Sequence, residues 1–247
     1  MNLLAAFIFF TRLPFWKLKE VPSECFKHVV PYWPFVGWLT GGIMAATLWL
    51  GAQVMPMSLA WILALTARLL MTGCLHEDGL ADFLDGFGGG TTRERTLVIM
   101  KDSHIGTYGV IGLTVYFLLM AEMHRLPLNR LCLWVLCADC WGKFCASQLI
   151  NRLPYARKEE ESKAKVVYHR MSGTERGLNA IGGLLPLCLL PPETAMPGCI
   201  ASLWMLVFLI RRMRQRLQGY TGDCCGAAFL LCELTFLLSG LLFFQHP

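Results

Sequence analysis

Between residues 73 and 90 the chain reads GCLHEDGLADFLDGFGGG, which sets His76, Glu77, Asp78, Asp82 and Asp85 at the end of a long apolar stretch. Acids placed there are costly and mark function. With residues 76–86 read as a continuation of the preceding helix, Asp78, Asp82 and Asp85 fall at i, i+4 and i+7, so three carboxylates share one face at 3.6 residues per turn. A solvated acidic helix end would give the same spacing without chemistry. Clustered hard oxygen ligands with no accompanying Cys–His pattern instead favour Mg²⁺ or Mn²⁺, and Mg²⁺ is commonly held by a few carboxylates plus substrate phosphates.

The flanking residues suit a phosphorylated ligand. Gly86-Phe87-Gly88-Gly89-Gly90 offers backbone without bulk, which allows close approach to a phosphate. In RERTLVIMKDSHIGTYGVIG, Arg93, Arg95 and Lys101 are cations, Asp102 is a fourth acid, and Ser103 and His104 follow it. Asp102 reads equally as a helix cap. RRMRQRLQGYTGD brings Arg212, Arg216, Thr221 and Asp223 to the start of the last apolar run, with arginines as phosphate donors and Asp223 as a further metal ligand. Arg68, Thr72 and His76 follow at i, i+4 and i+8 and are expected to form a stripe pointing inward from the acids. Arg68 either grips a phosphate or pairs with Glu122, Asp139 or a site carboxylate, and Lys143 pairs with Asp139 at i+4.

The elements that position these groups are membrane helices. The 247 residues are 55% hydrophobic and only 16% charged, against about a quarter charged in soluble domains, and mean hydropathy is +0.49. Apolar segments at about 35–55, 58–75, 105–121, 131–150, 178–192, 198–210 and 226–244 give an all-α, polytopic bundle of about seven transmembrane helices. The Pro-rich LLPPETAMPG between the fifth and sixth reads as a tight turn or a re-entrant pair. LLAAFIFFTRLPFWKLK is too short to span and lacks a signal-peptide pattern, so it is expected to lie as a helix at the cytoplasmic interface. Of 22 basic residues, 18 fall before residue 35 and in 76–104, 151–177 and 211–225. By the positive-inside rule those loops, and any chemistry on them, face the cytosol.

One membrane domain, 1–247, accounts for the whole chain. Within 151–177 the KEEESKAK portion is expected to be helical through Glu-to-Lys pairs. A net charge of +5 concentrated at membrane ends suits anionic lipid or phosphorylated substrates rather than nucleic acid. The eleven cysteines are scattered through apolar segments as small hydrophobes, Cys137 and Cys140 included.

HEDGLADFLDGF from His76, IMKDSHIGTYG from Ile99, PYAR at 154–157, GYTGDCCGAAFLLCEL from Gly219 and the opening FFTRLP from Phe9 together resemble the cobalamin synthase (adenosylcobinamide-GDP ribazoletransferase) family. The landmarks keep their order and spacing along essentially the whole chain. Glu77 stands where that family usually has Leu, His104 where it has Arg, and Tyr220 where a Gln is common. On a helix Glu77 points about 100° from Asp78 and is read as solvent-facing.

The resemblance implies transfer of the cobinamide phosphate from adenosylcobinamide-GDP to α-ribazole or its 5′-phosphate, with release of GMP, at the cytoplasmic face of the cell inner membrane. One or two Mg²⁺ ions, or Mn²⁺ in substitution, are then expected on Asp78, Asp82 and Asp85 with Asp102 and Asp223. Arg93, Lys101, Ser103, His104, Thr221 and an arginine among Arg212 and Arg216 are expected to hold phosphate. Asp82 or Asp85 is the expected base, and His76 orients an aspartate or relays a proton. The lipid bilayer, other late cobalamin-pathway enzymes and a second copy of the chain are the remaining candidate partners. Two alternatives fit less well. A CDP-alcohol phosphotransferase needs a DG-plus-AR spacing that this chain lacks, and a cation-coupled transporter needs acids near the midplane, whereas here they crowd at one face.

Overall fold

The computed structural model of the chain describes residues 1–157 and 166–245, so the KEEESKAK segment, 158–165, lies outside the described residues. Prolines set where three apolar runs begin to coil. Pro56, Pro127 and Pro191 stand immediately before α3 (Met57–Thr72), α7 (Leu128–Arg152) and α9 (Pro192–Arg216), where a missing N–H costs nothing because the first turn has no carbonyl to receive it. The other helices are α1 (Asn2–Phe10), α2 (Trp33–Gly51), α4 (Leu75–Gly89), α5 (Arg93–Ile99), α6 (Thr107–Ala121), α8 (Gly173–Leu184) and α10 (Gly222–Gln245). Among the described residues there is no strand, only an isolated parallel bridge between Tyr155 and Tyr220. The all-helical fold class is as expected.

Among the described residues, three helical stretches are long and apolar enough to cross a bilayer, Val30–Gly51, Pro192–Arg216 and Gly222–Phe243, and the bent pair α3–α4 makes a fourth if taken as one span. The 15 residues of α6 reach only about 22 Å at 1.5 Å per residue. The helix expected at the N-terminus forms as α1, which buries Ala5, Ala6 and Phe10.

Two expectations are corrected. The turn in LLPPETAMPG is confined to the residues around Leu190 and Pro191, because Pro192 opens α9 and Pro197 lies inside it. More consequentially, residues 76–86 do not continue the preceding helix. Gly73 and Cys74 both take positive φ, 65° and 59°, and α4 leaves α3 at 88°. Gly73 is required twice over: its φ is left-handed, and a Cβ there would come within 2.1 Å of the Arg12 guanidinium packed on it. The Arg12 N–H also donates to the Met71 carbonyl at 2.7 Å. Arg68, Thr72 and His76 therefore form no stripe, whereas Asp78, Asp82 and Asp85 keep their common face because all three belong to α4.

At the centre stands α10, with 67% of its span buried against α9, α4 and α7. Close packing falls at small residues. A Cβ on Gly142 would meet Phe229, one on Gly198 would meet Phe236, and one on Gly79 would lie 3.2 Å from the Asp223 backbone; helices in lipid associate by such approach.

Charges inside the bundle neutralise one another. Arg68, 1% exposed, pairs with Glu233 of α10 and donates to the Tyr116 hydroxyl at 3.0 Å. Its further partner is Glu77 at 3.7 Å. This corrects the candidates Glu122 and Asp139, since Glu122 pairs with Arg125 and Asp139 with Lys143, the latter as expected. It also corrects the solvent-facing reading of Glu77, which is 4% exposed and turned toward Arg68.

Removing one member of a buried pair strands the other. Glu233→Gln is expected to lower stability by about 3 kcal/mol or more, read as a lower thermal midpoint in detergent. The triple variant Arg68→Met, Glu77→Leu, Glu233→Met, which withdraws all three charges together, is expected to regain most of that loss. A triple variant as unstable as Glu233→Gln would show that the charge balance is not what matters.

Candidate functional site

Two helix starts build the site. Asp78 lies in the first turn of α4 and Asp223 in the first turn of α10, where acids gain from the exposed N–H groups and the helix dipole. Thr221 precedes α10 and accepts the Cys224 N–H at 3.4 Å, and its hydroxyl lies 3.3 Å from an Asp223 oxygen. The starts come together because Gly79 faces the Asp223 backbone and a Cβ on Gly226 would sit 3.1 Å from the His76 carbonyl.

Asp78, Asp223 and His76 line one cavity of about 130 Å³. Its cations are Lys143 and Arg157, and Phe9, Phe10, Trp33, Tyr155 and Tyr168 give it aromatic walls. Lys143 is shared between Asp139, the Thr40 hydroxyl at 3.2 Å and the Phe229 ring at 3.7 Å. One Arg157 N–H group donates to the Leu97 carbonyl at 3.0 Å, while its buried Nε has no hydrogen-bond partner among the described residues. His76 is buried, stacked on Phe10 and edge-on to Phe229 at 4.7 Å.

The loop motifs are held against this cavity by backbone bonds. The Ala156 N–H donates to the Tyr220 carbonyl at 2.8 Å and the Tyr220 N–H to the Pro154 carbonyl at 2.9 Å, so PYAR and GYTGD run as a short parallel pair. Gly219 permits it, since a Cβ there would be 2.5 Å from the Pro154 oxygen. Arg93 fastens both segments to α5 by donating to the carbonyls of Leu217 at 2.9 Å and Ala156 at 2.6 Å. Arg216 donates to the Gly90 carbonyl.

The remaining residues singled out by sequence lie as follows. Both oxygens of Asp85 accept backbone N–H groups at the start of α6, from Gly106 at 2.7 Å and Gly109 at 2.9 Å. Asp82 is buried one turn after Asp78 on the same face. Asp102 sits on an exposed turn, where the His104 backbone N–H and then its ring hold the carboxyl below its ordinary range. Lys101, Ser103, His104 and Arg212 are exposed. The glycine run serves packing, with Gly86 against Met100, Gly88 against Tyr108 and Gly90 against Thr96.

No three of the five aspartates offer ligand atoms within 4.8 Å of one another among the described residues. The two acids at the cavity still fit a hard cation, because Mg²⁺ is usually bound by one or two carboxylates and completed by phosphates and water. Sequence reasoning did not assign Lys143, Tyr155, Arg157 or Tyr168 to the site. The signal for two of them was present in the PYAR motif, and Lys143 was visible as an isolated cation inside an apolar run.

The family model described as cobalamin-5-phosphate synthase matches residues 2–242. An adenosylcobinamide-GDP ribazoletransferase of Leptothrix cholodnii is 38% identical over 244 residues, covering 94% of this chain and 92% of the relative. One from Vibrio cholerae is 36% identical over 247 residues, covering 98% and 94%, and one from Shewanella putrefaciens is 34% identical, covering 94% and 90%. No solved structure matches the chain. With a match running from the first helix into the last, the chain belongs to the cobalamin-5-phosphate synthase family.

Proposed function

We propose that this chain transfers the cobinamide phosphate of adenosylcobinamide-GDP to the ribose hydroxyl of α-ribazole, or of its 5′-phosphate, and releases GMP. The reaction comes from the family and the shared name of the relatives. The observation that supports its placement is the opening of Asp78 and Asp223, from two separate motifs, onto one cavity that also holds Lys143 and Arg157.

Phosphoryl transfer asks a protein mainly for positioning and charge stabilisation. Mg²⁺, or Mn²⁺ in its place, held by Asp78 and Asp223 would neutralise charge on the pyrophosphate oxygens. Arg157 brings a guanidinium to the cavity wall, and Lys143, paired with Asp139, lies on the same wall. Asp82, one turn from Asp78 on the same helix face, accepts the hydroxyl proton, and His76 at the cavity wall relays it. Lys101, Ser103, His104 and Arg212, all exposed, attract the anionic substrate before it enters. The excess of basic residues in these loops supports a cytosolic position for this end of the bundle.

Asp78→Asn and Asp223→Asn are each expected to lower GMP release by about 100-fold or more while the protein still inserts into membranes. Chelation of divalent metal is expected to stop release and added Mg²⁺ to restore it; undiminished turnover in a metal-free preparation would refute the metal site. Two arginines separate binding from scaffolding. Arg157→Met is expected to raise KM for adenosylcobinamide-GDP about ten-fold or more with a smaller fall in thermal midpoint than Arg93→Met, since Arg157 makes one backbone contact and Arg93 clamps three segments together.

A further inference from the structure

We propose that Glu24, His28 and His169 form a binding site for one divalent transition-metal ion of the zinc type, separate from the carboxylate cavity. Their ligand atoms all lie within 4.8 Å of one another. On a tetrahedral zinc with bonds of about 2.0–2.1 Å, neighbouring ligand atoms stand about 3.3 Å apart, so small side-chain rotations close the site. Two imidazoles and one carboxylate form a set that suits zinc, with water as the fourth ligand.

The surroundings fit this use. The His28 and His169 rings lie 4.6 Å apart at 44°, and among the described residues neither ring has a hydrogen bond. Each therefore has nitrogens available to ligate. Lys27 binds one oxygen of Glu24 at 3.0 Å, whereas His28 approaches the other at 3.9 Å. A metal can take the second oxygen without displacing the lysine. Glu175 is occupied by its capping box with Ser172 and does not compete.

The ion would act as a clip. Glu24 and His28 belong to the 3-10 turn Ser23–His28, and His169 to the segment that leads into α8. The two are joined by one backbone bond, the His169 N–H to the Lys27 carbonyl at 2.9 Å. Next to His169, Tyr168 packs on Phe9 and Trp33 and lines the cavity with them. Metal binding would thus fix an aromatic wall of the cavity from outside.

The test uses the full chain purified in detergent, freed of any affinity tag, stripped by chelator and titrated with Zn²⁺. One equivalent is expected to bind the wild type. His28→Asn and His169→Asn are expected to abolish this binding, and Glu24→Gln to weaken it more than about ten-fold, whereas Asp78→Asn binds zinc as the wild type does. Zinc is also expected to slow trypsin cleavage after Arg170 several-fold in the wild type and not in His169→Asn. Failure of the wild type to bind one equivalent, or equal binding by the two histidine variants with intact melting transitions, overturns the proposal and leaves the carboxylate cavity untouched.

Discussion

The first turns of α4 and α10 touch, and the positions of the other cavity residues follow from that contact. It needs two glycines, because a side chain at 79 or 226 would push against the opposite backbone. It also needs α4 to leave α3 at a steep angle, which the left-handed pair Gly73 and Cys74 provides. A straight continuation would have carried Asp78 along the axis of α3 and away from Asp223. The contact also sets two helix N-termini at one place, which offsets some of the repulsion between neighbouring carboxylates.

Beneath this contact the interior is polar yet balanced. Arg68 and Lys143 enter the bundle from different helices, and each meets acid there, Glu233 and Glu77 in one case and Asp139 in the other. Both also approach Phe229, and the same ring packs on His76. One aromatic side chain of α10 therefore meets two cations and the histidine at the cavity wall. Such a layer restricts how each helix can rotate, since turning any of them would bury a charge without its partner.

Much of this was legible in the sequence, and the limits were local. Apolar runs and prolines locate the helices, and i, i+4, i+7 spacing aligns Asp78, Asp82 and Asp85, because these depend on a few neighbouring residues. The break at Gly73 escaped, since a glycine near a helix end does not announce a change of direction without the Arg12 contact that fills it. Glu77 and Arg68 escaped each other's notice for the same reason. Their meeting depends on where α4 goes after the bend. Asp85 looks like a ligand by type and spacing, yet its oxygens hold the start of α6, a task that only tertiary structure shows. Arginines in loops invite assignment to phosphate, and Arg93 and Arg216 instead meet carbonyl oxygens.

The docking of Arg12 on the turn after α3 bears on the order in which the chain is assembled. The N-terminal segment is made first, but the groups that receive it, the Met71 carbonyl and the face of Gly73, exist only after α3 has been synthesised and has ended. Phe10 further requires His76 as its stacking partner, and His76 in turn requires Gly226 of the last helix. The opening residues can therefore reach this docked position only once α3, α4 and α10 are in place. The cavity closes as one of the last events of biogenesis, and a chain interrupted before α10 has every acid of α4 but no site.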